Sequence, residues 1–532
     1  MSLTDARLSR RSLLAGAAAT SAALATGWPS AAAARTIPTR EERRRVVVLG
    51  TGFGGSITAM RLAEAGIPVT MIERGRRWPV ATPNTFPTFS RFDHRGLWLR
   101  SSGSILPGIL PASTGSGYPG LVEFIKGRGM DVACPAAVGG GSLPYHGMSV
   151  QPRGDLFDQV MPGALDYEEF DSVFYKRAGA MLKISTMPDD VLASDRYASS
   201  RMFQEFVRKA GLPPAGPLPM TIDWDVVRRE LRGELPGVIS TGDVVLGVNG
   251  PGKQSLDTNY LARAEATGKV ELLALHHVRS ISRDARGRWV LAMERIDLRG
   301  RTVERITLTT DVLFMGAGAP NTTKLLVRAG ARGDITGLPD ELGRHFSGNG
   351  DLIIARILNR NTGLRQGGPA NIASCDWDNP EGPATLLFAA LPQAVDMRLM
   401  VTVGMFIPDT FGSWEYDGRR DEAILNYPNS LRSEIAASTH RRLDRIARAA
   451  GSIATIDATR LAPLTFHPLG GAVLGKVTDD YGRVLGQQGL YVVDGALIPG
   501  STACANPSLT IAALAERNIE QVLRTDGARL LG

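Results

Sequence analysis

The first strongly apolar run, Val46-Val47-Val48-Leu49, leads through a glycine-rich turn into Ser56 to Ala65, which reads as a helix ended by Gly66. A second run, Pro68-Val69-Thr70-Met71-Ile72, closes on Glu73. Two unbroken apolar runs flanking a helix predict buried parallel strands and hence a βαβ unit. Farther on, residues 156–235 read as mostly helical with Pro-rich breaks at 213–219, and residues 270–313 as strands, including Val270 to Leu275 and Ile306 to Phe314. Residues 350–427 again offer strands, among them Leu352 to Ile357 and Leu399 to Met405. Between 430 and 450 the pattern predicts a basic amphipathic helix, Arg432 to Ala449, with a solvated polar face or, alternatively, contact with lipid headgroups. From Arg76 to about Ile125 there is little periodicity but much Pro, Gly, Ser and aromatic residue: Trp78, Phe86, Phe89, Phe92, Trp98 and Tyr118. That stretch is a candidate cover over an apolar ligand, or simple surface irregularity.

The 532 residues are 43% hydrophobic, enough for a large core divided between two or more domains. The excess of 60 basic over 53 acidic residues is scattered rather than striped with aromatics, which argues against a nucleic-acid partner. Cys134, Cys375 and Cys504 are too few and too widely spaced for a disulfide framework or a metal cluster and read as packing residues. The pair Arg10-Arg11 precedes a weakly apolar, alanine-rich stretch ending in Ala31-Ala32-Ala33-Ala34, the pattern of a twin-arginine signal peptide over residues 1–34. Secretion of an already folded, cofactor-loaded protein is the expectation; the alternative is a cytosolic chain with a fortuitous Arg-Arg. Gly27 and Pro29 interrupt the apolar part too early for a permanent membrane span.

Between the two predicted strands stands Gly50-Thr51-Gly52-Phe53-Gly54-Gly55. Gly50 permits the tight turn, Gly52 lets backbone approach a pyrophosphate, and Gly55 lets helix pack on strand, so the helix N-terminus faces phosphate. Glu73 lies 18 residues beyond Gly55, where an acid can accept from ribose hydroxyls. An acid there disfavours the 2′-phosphate of NADP and leaves FAD and NAD as dinucleotides. Val138-Gly139-Gly140-Gly141-Ser142-Leu143, followed by Tyr145-His146-Gly147-Met148, leaves room for flat contact between backbone and an extended cofactor.

The closing block carries Phe466-His467-Pro468-Leu469-Gly470-Gly471, then Asp494-Gly495 and Asn506-Pro507. A histidine fixed between proline and a glycine pair suggests a place where backbone approaches a planar ligand and a proton is received; a satisfied core histidine is the other reading. Together with Gly252 to Asp257, Gly316-Ala317-Gly318, Asp479 to Val484 and Asp494 to Ser501, these motifs resemble the glucose-methanol-choline (GMC) oxidoreductases, in particular the bacterial cholesterol oxidase branch with non-covalent FAD. The resemblance runs from about Arg44 to Leu523.

It implies an α/β fold: a Rossmann-like FAD-binding domain from 42–155, 236–330 and 465–532, and a substrate-binding domain from 156–235 and 331–464, built on a mostly antiparallel sheet with helices. It implies His467 and Asn506 as the residues facing substrate, with Gly50, Gly52, Phe53, Gly54, Gly55, Glu73, Gly141, Ser142, His146, Met148, Val278, Asp494, Gly495 and Ser508 at FAD. The implied chemistry is removal of a hydroxyl proton with help from His467, hydride transfer to flavin N5, and reoxidation by molecular oxygen to hydrogen peroxide. The implied partners are an apolar alcohol and oxygen, acting on a monomer with at most transient membrane-surface contact.

The chain departs from the family around the flavin. Tyr145-His146 replaces an Asn-Gly pair, and Ser508 replaces the Phe after Asn-Pro. The strand that carries an isomerisation glutamate in cholesterol oxidases reads Leu386-Leu387-Phe388-Ala389-Ala390-Leu391-Pro392, without an acid. Unless Asp396 or a carboxylate from another loop substitutes, oxidation is expected without efficient isomerisation, and the substrate can be another secondary alcohol. Two other readings stay open: a dehydrogenase that uses a different electron acceptor, and a non-catalytic lipid-binding protein that keeps FAD structurally.

Overall fold

The computed structural model describes residues 36–88, 92–392, 395–428 and 433–531. The signal-peptide reading, Phe89, and Arg432 at the start of the basic helix lie outside these residues. The chain begins with strand β1 (Thr39–Leu49), helix α1 (Phe53–Glu64) and strand β2 (Val69–Ile72), the expected βαβ unit. β1 starts seven residues before its apolar core because the basic run is itself strand, in parallel register with Arg305 to Thr310. Its arginines find acids on other strands of the same sheet: Arg40 with Glu304 at 3.1 Å, Arg44 with Glu271 at 3.2 Å and Arg43 with Asp311 at 3.4 Å. Cross-strand charge pairing thus supports a segment whose polarity hides its strand character.

Four more strands follow: β3 (Val270–Leu273), β4 (His276–Arg283), β5 (Trp289–Ile296) and β6 (Thr302–Met315). They complete a sheet in the order β3-β2-β1-β6-β5-β4. The pairings β3-β2, β2-β1 and β1-β6 are parallel, whereas β6-β5 and β5-β4 form an antiparallel meander. Val46, Val47 and Val48 are almost wholly buried, as strands covered on both faces must be.

The second sheet is antiparallel throughout. Its main strands are β7 (Leu352–Leu358), β8 (Ile372–Asp376), β9 (Ala384–Ala389), β10 (Leu399–Phe406) and β11 (Ser452–Asp457), in the order β11-β7-β10-β9-β8 with Gly216–Pro217 on the outer edge. Each sheet has its own apolar core. The basic helix runs from Glu434 to Ala450 and packs Ala436, Leu443, Ile446 and Ala450 into the second core. Arg442 is not on a solvated face: its buried guanidinium donates to Asp376 Oδ2 at 3.0 Å.

The chain returns to the first sheet through β12 (Leu490–Val492), parallel to β6, and ends in a long helix, Pro507–Leu531. That helix is locked to α1 by Arg61, whose Nε and Nη2 donate to Glu516 Oε2 and Oε1 at 2.7 and 2.9 Å. Tyr260 Oη donates to the same fully buried carboxylate at 2.9 Å. The amino-terminal fingerprint and the carboxyl-terminal motif are therefore parts of one packed unit.

The stretch 76–125 is not a bare loop. Trp78 stacks on Phe86 with ring centroids 5.4 Å apart, and both join Leu97, Ile105, Leu121 and Phe124 in a core of their own. No helix among the described residues is long and apolar enough to cross a membrane.

Candidate active site

A single cavity of about 820 Å3 is lined at one end by the glycine fingerprint and at the other by the His-Pro motif. At the fingerprint end, the turn after β1 meets the turn after β6 so closely that a Cβ on Gly50, whose φ is +97°, would lie 2.1 Å from the Gly316 carbonyl oxygen. A Cβ on Gly54 would lie 1.6 Å from the Val493 carbonyl. These glycines are demanded by protein backbone. Gly52 and Gly141 are different: a Cβ there meets no protein atom within 4 Å and would project into the cavity both residues line. Gly52 is also the N-cap of α1, and no side chain caps that helix, which leaves first-turn N–H groups for a phosphate.

Thr51 ties this end together. Its N–H and hydroxyl donate to Glu73 Oε2 at 3.2 and 2.8 Å, and its Oγ1 accepts from the Gly139 N–H at 3.1 Å. Gly75 N–H donates to Glu73 Oε1 at 2.8 Å. A carboxylate offers about four lone-pair positions, so these three bonds leave about one for a ribose hydroxyl rather than the pair expected. Burial pushes the Glu73 carboxyl above its ordinary range, against the hydrogen bonds from Gly75 and Thr51. Val278, on β4, lines the cavity beside it.

In the middle, Phe53 meets Tyr145 edge-on with centroids 5.7 Å apart. His146 is half-buried and pushed down to about 4, first by desolvation and then by Lys253 and His467, so its imidazole is neutral at neutral pH. Lys253 donates to the Leu143 carbonyl and, at 3.1 Å, to that of Tyr145, fixing the turn that presents His146; burial lowers it to about 7. Asp494 accepts from the Gly318 and Ala496 N–H groups at 2.8 and 2.9 Å and from the Thr322 hydroxyl at 2.5 Å. Burial raises its carboxyl to about 6.

At the far end, His467 Nδ1 lies 2.9 Å from Asp351 Oδ1, and the side chains are 28% and 4% exposed respectively. The adjoining wall comes from the second sheet, through Ile353, Leu387, Ala389, Val401 and Val403, and from Ile105 and Leu106 of the 76–125 stretch. These lining residues are apolar, and the His467 imidazole lines the same cavity.

Of the residues expected at the site, His467, Asn506, Gly50, Gly52, Phe53, Gly54, Glu73, Gly141, His146, Met148, Val278, Asp494, Gly495 and Ser508 all line this cavity. Gly55 and Ser142 stand behind its wall. A Cβ on Gly55 would meet the Gly50 carbonyl at 2.2 Å, and the Ser142 hydroxyl donates to Gly139 O at 2.7 Å while accepting from Leu256 N–H at 3.0 Å. Gly470 and Gly471 are not part of the cavity wall either. Their absent side chains make room for the His345 carbonyl and the Thr323 hydroxyl, at 2.0 and 2.2 Å from the positions a Cβ would take.

Asn506 faces the cavity with its polar atoms already engaged. Its Nδ2 donates to Met148 O and to Ser508 Oγ at 2.8 Å, and its Oδ1 accepts from Val150 N–H at 3.0 Å. Ser508, the residue in place of the family's Phe, supplies one of those partners. Asp396 does not replace the missing strand glutamate: it accepts from the N–H groups of Thr362, Gly363 and Arg398 and is not part of the cavity wall. Thr51, Lys253 and Asp351 escaped the sequence reading as site residues, although Thr51 lies inside the fingerprint and Asp351 follows Gly348-Asn349-Gly350.

Residues 417–515 match a family model described as GMC oxidoreductase. The carboxyl-terminal region is a GMC oxidoreductase domain. Over almost its whole length the chain is similar to cholesterol oxidases of that family: 26% identical to that of Mycobacterium tuberculosis, over 89% of this chain and 90% of the relative. It is 24% identical to the cholesterol oxidase of Acinetobacter baumannii, over 90% and 94%. Among solved structures, pyridoxine 4-oxidase from Mesorbium loti superposes with a TM-score of 0.62 at 15% identity, covering 90% of this chain and 99% of that one, which shows a shared fold. GMC oxidoreductases are FAD-dependent, and FAD is the cofactor of this chain. The cradle of Gly52, Gly141 and the uncapped α1 N-terminus fits its diphosphate, and Glu73 its ribose.

Proposed function

We propose that this GMC oxidoreductase, an FAD-dependent enzyme acting on alcohols, oxidises the secondary hydroxyl of a bulky apolar substrate of the 3-hydroxysteroid kind to a ketone. Oxygen takes up the electrons and leaves as hydrogen peroxide, and the enzyme works outside the cytoplasm after twin-arginine export. The observation that carries the reading is the placing of His467 at the edge of an apolar chamber continuous with the dinucleotide cradle. The relatives named cholesterol oxidase support the substrate class.

Bound FAD supplies the hydride acceptor. The chain supplies the rest. Leu387, Ala389, Val401 and Val403 enclose an apolar ring system and exclude water. The Nε2 atom of His467 takes the hydroxyl proton, and neutral His146 offers a second polar contact without a competing charge. With no acid on β9 and Asp396 tied to backbone, oxidation proceeds without double-bond migration.

Anaerobic mixing of the yellow holoenzyme with sterols and other secondary alcohols tests this. Rapid bleaching by 3β-hydroxysterols, one peroxide per ketone in air, and a fall of about 10²- to 10⁴-fold in bleaching rate for His467→Ala are expected. Bleaching by sterols without peroxide would make it a dehydrogenase; no bleaching by any alcohol would remove the catalytic reading.

A further inference from the structure

The His467 imidazole is held by a residue that plays no part in the proposal above. Asp351 stands at the head of β7, 116 positions earlier in the chain, and its side chain is almost fully enclosed. Its Oδ1 faces His467 Nδ1 at 2.9 Å. Its Oδ2 lies 3.2 Å from the Thr465 hydroxyl, which also accepts from the main-chain N–H of His467 at 2.9 Å. Ring and backbone of the histidine are thus clamped by one connected group.

We propose that Asp351 is a positioning residue that fixes the tautomer of His467 and so makes Nε2 the proton acceptor. An ionised carboxylate only accepts, so the hydrogen must sit on Nδ1 and the free lone pair on Nε2. Among the described residues Nε2 has no hydrogen-bond partner, while His467 lines the chamber. When Nε2 takes the alcohol proton the ring becomes an imidazolium, and the carboxylate beside Nδ1 offsets the charge without itself being protonated.

The placement of Asp351 is rigid. A Cβ on the preceding Gly350 would lie 2.2 Å from the Phe406 carbonyl. One residue earlier, Asn349 Nδ2 donates to Ala505 O at 2.7 Å and its Oδ1 accepts from Thr502 N–H at 2.9 Å. The turn that carries Asp351 is therefore fastened to the loop that leads into Asn506. Of the acids that line the cavity, Asp351 is the one paired with His467; Glu73 and Asp494 are engaged at the cradle, and Glu123, Asp421 and Glu422 pair with Arg74, Arg328 and Lys324.

This inference rests on the reading of His467 as proton acceptor, and the test separates the two. In histidine-labelled holoenzyme, ¹⁵N spectra assign the His467 resonances by their loss in His467→Gln. An Nδ1–H signal is expected in the wild type, and its transfer to Nε2–H in Asp351→Ala. That readout needs no substrate. With cholesterol, Asp351→Ala is expected to slow anaerobic flavin bleaching about 10- to 100-fold, part of what proton transfer contributes, with bound flavin and KM within about twofold of wild type. Asp351→Glu should recover part of the rate; Asp351→Asn, which keeps the shape and loses the charge, covers the case in which the alanine variant fails to fold, and should be slowed like it. An unchanged tautomer and a rate within about twofold of wild type in both Asp351→Ala and Asp351→Asn would overturn the proposal. Should His467→Ala itself bleach at the wild-type rate, the proton-acceptor reading falls and the role of Asp351 falls with it.

Discussion

At the cradle end of the cavity the wall includes bare backbone, with Gly52 and Gly141 lining the cavity and Gly50 and Gly54 pressed against neighbouring carbonyls. At the hydroxyl end it is side chain, drawn from β7, β9 and β10, the 76–125 stretch and the His467 loop. The first is announced by a run of closely spaced glycines, although the carbonyls that demand Gly50 and Gly54 belong to Gly316 and Val493. The second exists only when segments more than 100 residues apart are folded together. A cradle of this kind has little freedom to vary, whereas a chamber of side chains can be rebuilt residue by residue around the same imidazole.

The contrast can be broken by substitution. Gly54→Ala has the largest expected effect: with the Val493 carbonyl only 1.6 Å from the new methyl, the helix must leave the strand, and the purified protein should be colourless. Gly52→Ala sharpens the point, since its methyl meets no protein; flavin affinity should fall while the flavin-free protein melts at the wild-type temperature. At the other end, Asn506→Ala strands the Val150 N–H, at about 1–3 kcal/mol for a buried group left unpaired, while the Ser508 hydroxyl still donates to the Met148 carbonyl. Loss of thermal stability should accompany loss of rate; an unchanged melting temperature would show that the amide is not the lock described.

The smallest effect is electrostatic. Burial raises Asp494 to about 6, above the roughly 3.9 of an unfolded aspartate, so the folded state holds the proton more tightly. Its contribution to stability is full below about pH 4 and lost as pH rises through about 6. In flavin-free protein, the melting temperature of wild type relative to Asp494→Asn should fall across that interval and level off above it.

The cradle was legible because Val46 to Glu73 spells out a βαβ pattern in consecutive residues, although the carbonyls that demand Gly50 and Gly54, those of Gly316 and Val493, lie far along the chain. Even there the basic residues 39–45 hid a strand, since their partners lie at Glu271, Glu304 and Asp311. The resemblance located His467 and Asn506 but not what holds them. Asp351 and Thr465 become a clamp only through tertiary packing, and Ser508, a small polar residue with no visible task in the chain, closes the bonding of Asn506. Gly470 and Gly471 illustrate the complementary difficulty: a glycine pair signals close approach without saying to what, and here it admits the His345 carbonyl and the Thr323 hydroxyl.

Strand β9 is buried over all six residues, and the two that line the cavity, Leu387 and Ala389, are hydrocarbon. On the proposed sterol reading, a ring ketone released from such a surface would keep its alkene where the substrate had it, out of conjugation with the new carbonyl. The ultraviolet band by which sterol enones are followed would then stay silent while peroxide accumulates, and the rearranged isomer would emerge later, at the pace of free solution rather than of the enzyme.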